Sequence, residues 1–160
     1  MTEGTNGRTC GSCTACCKTH AVRSLDKPEY TWCAHCAIGV GCKRYDTRPS
    51  DCKEFLCAWL TGEGTEHDRP DRNKVVIGVD ELPEIGDTVT VHELLPGAFE
   101  RSALAQSWMR KGIGLRMPVW IRRLQARDKL LLPPTTQLSA ELKRELLDRN
   151  VAVHRYHFIP

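Results

Sequence analysis

The chain has 160 residues, a mass of 18.0 kDa and a formal net charge of +3. This length suffices for one hydrophobic core but not for two large domains. Apolar residues make up 41% and charged residues 27%, which is ordinary for a globular protein. The small net charge does not require a nucleic-acid partner, and no run of about 18 apolar residues predicts a membrane span. Residues 1–8 are polar and lack the apolar stretch of a secretory signal, so we expect a cytoplasmic location.

The composition divides the chain into two unlike parts. We predict a small loop-rich, cysteine-ligated metal module over residues 8–72 and a compact domain over residues 73–160. Residues 10–57 contain only nine large apolar residues among 48, so this part needs a disulfide or a metal to stabilise it. A structural metal can contribute roughly 10–16 kcal/mol of apparent folding free energy.

One short helix is expected in the cysteine-rich part, near residues 49–60. Its predicted cap is Ser50 or Asp51, and its predicted buried face is formed by Phe55, Leu56 and Trp59. The polar, glycine-containing segment 61–73 that follows is typical of a linker or surface loop.

The hydrophobic periodicity after residue 74 predicts an α+β fold in the order β-β-α-β-β-α-β. Its strands are predicted at residues 75–79, 88–95, 119–124, 129–132 and 151–158, and its helices at 99–111 and 139–149. Gly112 is expected to end the first helix and Ser139 to cap the second. The sheet should be antiparallel or mixed, and the two ββα stretches suggest a structural repeat.

The cysteines are the most unusual feature of the sequence. All nine occur within residues 10–57, and an odd number excludes complete pairing in disulfides within the chain. Closely spaced cysteines in a reducing compartment indicate metal binding. The candidate metal ligands are Cys10, Cys13, Cys16, Cys17, Cys33, Cys36, Cys42, Cys52 and Cys57.

A zinc interpretation pairs two CxxC knuckles. Nineteen residues separate Cys13 from Cys33 and sixteen separate Cys16 from Cys33, both typical of a four-cysteine zinc ribbon. Cys42, Cys52 and Cys57, with one thiol from the first block, would close a second tetrahedral site.

An iron–sulfur interpretation starts instead from the C-x2-C-x2-C run of Cys10, Cys13 and Cys16. With a distant fourth cysteine, this run is typical of bacterial cluster ligation, although the usual proline is missing. Thiolates suit both metals, so zinc and iron remain open. A single cysteine such as Cys57 could instead be a small buried apolar side chain that binds no metal.

The pattern CxxCxxCC followed by GVGCKRYDTRPSDCKEFLCAWL resembles the YkgJ-type cysteine-cluster family, described as zinc- or iron-chelating proteins. The resemblance covers about residues 8–72 and leaves Cys36 outside the secure pattern. The residues that carry it are Cys10, Cys13, Cys16, Cys17, Cys33, Gly41, Cys42, Tyr45, Arg48, Pro49, Cys52, Phe55, Cys57 and Trp59. It implies chelation of zinc or iron by these cysteines and implies no reaction.

Catalytic motifs are missing from the sequence, which contains no phosphate loop, nucleophile elbow or HExxH. The sequence therefore favours a metal-binding protein with a structural or metal-handling role over an enzyme. An iron–sulfur redox or catalytic protein is the first alternative.

A few other polar residues are candidates for the site. His35 lies between two cysteines and is a possible further ligand, whereas His20 and His67 are expected to be solvated. Arg48 either contacts an anion or a thiolate, or it pairs with Asp46 or Asp51 in a turn.

A basic segment provides the second alternative. Residues 101–129 contain eight basic residues against one acid, whereas residues 71–100 contain two basic residues against seven acids. This segment suggests a zinc-stabilised adaptor that binds nucleic acid or an acidic protein, with Trp108 or Trp120 for stacking. We favour internal neutralisation between the two segments, with both tryptophans in the core.

Overall fold

The structure is a computed structural model that describes residues 4–157. Its helices are α1 (Ala15–Thr19), α2 (Ser50–Glu54), α3 (Pro70–Asn73), α4 (Ala98–Arg101), α5 (Ala103–Gly114) and α6 (Ala140–Asp148). Its strands are β1 (Cys36–Ala37), β2 (Gly41–Cys42), β3 (Val75–Leu82), β4 (Gly86–Glu93), β5 (Val119–Arg122), β6 (Lys129–Leu132) and β7 (Ala152–Arg155). Short 3₁₀ turns occupy Thr5–Gly7, Arg23–Leu25, Tyr45–Thr47 and Glu66–Asp68.

The last five strands form one mixed sheet in sequential order, which confirms a mixed α/β fold. Strands β3 and β4 are antiparallel, as are β5 and β6, because each pair is a hairpin. The pairs β4–β5 and β6–β7 are parallel, because α5 and α6 provide the crossovers. Each hairpin is thus followed by a helix and a parallel strand, which matches the expected ββα repeat.

The two faces of the sheet have different coverings. On one face, Val75, Ile77, Val89, Val91 and their neighbours on β5 pack with Ala105 and other residues of α5. On the opposite face, Trp120, Leu130 and Leu132 pack with Leu146 of α6. The alternation of side chains along each strand produces this division.

The cysteine-rich segment covers the remaining part of the second face. Val76 of β3 shares a cluster with Cys57 and Trp59, and the backbone N–H of Ala58 donates to Ile77 at 2.7 Å. Gly78 makes room for the Phe55 ring, since an added Cβ would lie 2.6 Å from Phe55 Cε2. The division into units 8–72 and 73–160 stays a prediction, but the two segments share core contacts.

Helix α5 differs from its prediction at both ends. Ser102 interrupts the expected helix because its hydroxyl accepts a bond from the Ala105 N–H and caps a new helix. The prediction that Gly112 ends the helix is wrong, since α5 continues to Gly114. Gly112 is buried where its missing side chain allows the helix to approach Val89 and Val119.

The predicted helix over 49–60 is reduced to the five residues of α2. The prediction that Ser50 or Asp51 caps it is wrong, because Pro49 is the N-cap and no side-chain capping bond forms. The Asp51 carboxylate instead accepts a bond from the backbone N–H of Arg23 at 3.2 Å.

The other elements lie close to their predicted positions. Ser139 caps α6 as expected, by accepting from the N–H of Leu142. The last strand is shorter than predicted, and residue 158 lies outside the described residues. No helix within residues 4–157 has the length and apolar character needed to cross a membrane.

Candidate metal centre

A cleft of about 490 Å³ separates the cysteine-rich segment from strands β3, β4 and β5. Seven of the nine predicted ligands line it: Cys10, Cys13, Cys16, Cys17, Cys33, Cys42 and Cys52. The nine cysteines all belong to the described residues, and none of them forms a disulfide. The fold therefore gathers thiols from several turns of one segment around a common space.

The first group of thiols comprises Cys10, Cys13, Cys16 and Cys57. A tight turn joins the first two, since the Cys13 N–H donates to the Cys10 carbonyl at 2.8 Å. Cys10, Cys13 and Cys57 pack in one cluster. The hydrogen bond with Cys17 and burial raise the pKa of Cys16 well above its ordinary value, and the nearby Cys10 and Cys13 raise it further. Burial raises the pKa of Cys57 to about 11 and also raises that of Cys13.

The second group comprises Cys17, Cys33, Cys36, Cys42 and Cys52. The Cys33 N–H donates to the Cys17 carbonyl at 3.1 Å, and Cys36 lies opposite Cys42 in the β1–β2 pair. Burial raises the pKa of Cys52, and the nearby Cys17, Cys33 and Cys42 raise it further. Burial also raises the pKa of Cys36 to about 11, with further contributions from Cys17.

The two groups meet at the neighbouring residues Cys16 and Cys17. A hydrogen bond from the Cys16 thiol lowers the pKa of Cys17 to about 6, against the effect of burial. The positive charges of Lys27 and Arg48 lower it further. Cys17 is therefore the thiol best prepared to act as a thiolate at neutral pH.

Lys27 is a buried cation beside the second group. Lys27 is only 7% exposed, and its ammonium group donates hydrogen bonds to the carbonyls of Lys18, His20 and Pro28. Burial lowers its pKa, while negative charge on Cys33 and Cys17 would raise it. None of the ion pairs found within residues 4–157 involves Lys27, and the charges that act on its pKa are those of cysteine thiolates.

This grouping differs from the two-knuckle zinc ribbon. Cys57 lies with Cys10 and Cys13, whereas Cys33 and Cys36 lie with Cys17. The sequence spacing could not distinguish these pairings, because Cys57 packs beside Cys10 and Cys13 from a distant position in the chain.

A second set of candidate ligands lies where the cysteine-rich segment faces the sheet: His20, Asp80 and His92, each offering one ligand atom within 4.8 Å of the others. The prediction that His20 is solvated is wrong. Its ring lies between Phe55 and His92, with centroid distances of 4.0 and 4.6 Å. Asp80 lies on β3 and His92 on β4, and these two residues were not predicted.

The surroundings of this set favour a neutral His92 and an ionised Asp80. Burial lowers the pKa of His92 to about 4. The pKa of Asp80 is well below its usual range: burial alone would raise it, but the nearby His20 and His92 rings and the hydrogen bond from Thr90 outweigh that effect. The sequence held one signal for this pair, the alternation of side chains along β3 and β4. In the observed register, Asp80 and His92 both occupy even-numbered positions and therefore lie on the same face of the sheet.

The other candidate side chains have identifiable contacts. His35 Nε2 lies 3.4 Å from Arg44 Nη1, on the rim of the cleft, and His67 is exposed. Arg48 donates to the Tyr45 carbonyl at 2.9 Å and lies 3.8 Å from the centre of its ring. Its charge also reaches Cys17 and Cys52, as a thiolate contact would require.

Two arginines of the predicted basic segment are paired with acids. Arg122 contacts Glu29 and Asp128, and Arg123 contacts Glu100. Trp120 is buried, with its indole N–H 3.3 Å from Asp128 Oδ2. Only the contact of Arg123 with Glu100 joins the basic segment to the acidic segment 71–100, because the two partners of Arg122 lie outside the acidic segment.

Comparison with known proteins yields no match to a family model, to a curated protein or to a solved structure. The resemblance to the YkgJ-type family accordingly stays a prediction, and the functional argument depends on the geometry of the cleft.

Proposed function

We propose that this protein binds zinc or iron through its clustered cysteine thiolates, with a structural or metal-handling role. The observation that carries the proposal is that seven of the nine thiols line one cleft, with Cys57 packed beside Cys10 and Cys13. Metal binding would displace the protons that burial otherwise favours on Cys13, Cys52 and Cys57, whose pKa values it raises.

The charge around the second group supports the same proposal. Four thiolates around a divalent ion leave a net negative charge, and Lys27 is a buried cation with no carboxylate partner among the described residues. A buried charge without compensation is costly, so a thiolate centre explains why a lysine occupies this position.

An iron–sulfur cluster is the second candidate, and a specific observation favours it at the first group. Cys10, Cys13 and Cys16 supply the C-x2-C-x2-C run, and Cys57 packs beside Cys10 and Cys13 as a distant fourth cysteine. This set matches the ligand pattern of bacterial clusters. The adaptor alternative stays a prediction, and no contact of Arg122 or Arg123 favours it.

Elemental analysis and a visible spectrum of protein purified without oxygen test the proposal. Zinc with no colour would indicate thiolate zinc sites, and brown protein with iron and acid-labile sulfide would indicate a cluster. Protein without metal, whose nine thiols react with a thiol reagent at the same rate before and after chelator treatment, would overturn the proposal.

Variants assign the metal to the two groups. Cys13→Ser should lower the metal held by the first group, and Cys52→Ser that held by the second. Ser24→Ala, at an exposed position in the same segment, is the matched control and should keep the full metal content. Full metal content in both cysteine variants would contradict the ligand assignment.

A further inference from the structure

We propose that His20, Asp80 and His92 bind a divalent transition-metal ion, separately from the cysteine thiols, with an open coordination position facing the cleft. The proposal goes beyond the proposed function, because it uses no cysteine. Two imidazole nitrogens and one carboxylate oxygen are the ligand set of open zinc sites and of ferrous facial triads.

The first observation is the convergence of the ligand atoms. His20 Nε2 lies 3.7 Å and His92 Nε2 lies 4.0 Å from the same oxygen, Asp80 Oδ2. Both distances are too long for hydrogen bonds. Ligands about 2.0–2.1 Å from a tetrahedral ion are about 3.3 Å apart, so a small inward rotation of these side chains completes the site.

The second observation is that two buried polar atoms lack a hydrogen-bond partner. The Nε2 atoms of both histidines are inaccessible to solvent and unpartnered within the described residues. His92 is only 3% exposed, so water does not compensate for the missing bond. Leaving such an atom unsatisfied is unfavourable, and a bound ion would satisfy both nitrogens.

The third observation is the support behind each ligand. Thr19 Oγ1 lies 2.8 Å from His20 Nδ1, and the Tyr30 hydroxyl lies 3.3 Å from His92 Nδ1. When these oxygens accept the Nδ1 protons, both Nε2 lone pairs are directed towards Asp80. Thr90 donates a hydrogen bond to Asp80 Oδ2 and holds that carboxylate in place. Metal-bound histidines typically have such outer partners.

The position in the fold provides access. All three side chains line the cleft, so an ion can enter from solvent and retain a water molecule on the open side. The three ligands come from the end of α1, from β3 and from β4, and the pairing of β3 with β4 sets the distance between the last two. A site on paired strands is more rigid than one built on loops.

Cobalt(II) loading of the full chain without oxygen tests the proposal, because thiolate ligands give sulfur-to-cobalt charge-transfer bands and nitrogen or oxygen ligands do not. Asp80→Asn and His92→Gln should each bind one cobalt ion fewer per chain and leave the charge-transfer intensity unchanged. Glu81→Gln, which removes an exposed carboxylate from the next position, should bind as the wild type does. Tyr30→Phe should lower the affinity for the same ion about 10-fold.

The outcomes distinguish this site from the cysteine sites. Cobalt content unchanged in Asp80→Asn and His92→Gln would overturn the His–Asp site and leave the thiolate proposal intact. If the charge-transfer bands were absent and Asp80→Asn still bound one cobalt ion fewer, the thiolate proposal would be overturned and the His–Asp site would stand. If the variants fail to fold, zinc titration of the wild type decides: the imidazole resonances of His20 and His92 must shift, and unchanged resonances would overturn the site.

Discussion

Arg122 on β5 donates two hydrogen bonds to the carboxylate of Glu29, 93 positions earlier in the chain, at 3.1 and 2.6 Å. The same guanidinium also contacts Asp128 at 2.8 Å. This two-bond contact joins the cysteine-rich segment to the sheet beside the cleft. It thereby helps to hold His20 on the segment opposite Asp80 and His92 on the strands.

Glu29→Gln should lower the free energy of unfolding by about 1–2 kcal/mol, because Arg122 is largely buried and loses one of its two acidic partners. The measurement is urea unfolding, with Glu54→Gln as the control at an exposed carboxylate of the same segment. An unchanged midpoint would show that this contact does not stabilise the docked segment.

The same pair predicts a dependence on pH. Burial alone would raise the pKa of Glu29, but the bonds and charge of Arg122 lower it below its ordinary value in the folded protein. Its contribution is therefore fully present above the ordinary glutamate range and is lost as the pH falls through the lowered pKa. The stability difference between wild type and Glu29→Gln should shrink on acidification, and a constant difference would contradict this account.

Lys27→Met should destabilise the metal-loaded protein more than the metal-free protein, by about 1–3 kcal/mol. With metal bound, the thiolates keep their charge and lose a compensating cation. Without metal, fewer thiols around Lys27 are held as thiolates, so the substitution removes a buried cation that has less negative charge to compensate. Thermal unfolding of both forms measures the difference, and Lys53→Met at an exposed position is the control. Equal effects in both forms would exclude charge compensation.

Metal removal should loosen the cysteine-rich segment before the sheet. The segment has a thin apolar core, whereas β3, β4 and β5 are buried against α5. Hydrogen exchange after chelator treatment should accelerate at the backbone amides of Cys17, Cys33 and Cys36. The amides of β4 should keep most of their protection. Loss of protection throughout the sheet at the same rate would show that the two parts unfold as one unit.

Gly112→Ala should lower the free energy of unfolding by about 1–3 kcal/mol, since its Cβ would lie 2.9 Å from Val119 Cγ2 and 3.0 Å from Val89 Cγ2. Gly114→Ala in the same helix is the matched control, because an added Cβ there has no neighbour within 4 Å. This control should gain about 0.5–1 kcal/mol from the better helix propensity of alanine. A stabilising Gly112→Ala would contradict the close helix–sheet contact.

The order of strands and helices after residue 74 was predictable because it depends on local periodicity. Alternation identified β4, and the Ser139 cap identified the start of α6. The failures have tertiary causes. Glycine is the residue type that commonly ends a helix, but α5 continues past Gly112. At this position the helix lies so close to Val89 and Val119 that a side chain would not fit.

The sequence by itself determined that nine thiols lie in a short segment with a thin core, and it named all nine as candidate ligands. Only the tertiary structure decided which thiols meet, because the packing of Cys57 beside Cys10 and Cys13 joins residues far apart in the chain. It also decided that His20 faces Asp80 and His92. No local pattern carries that information, since it depends on the pairing of β3 with β4 and on the docking of a segment 60 or more positions away.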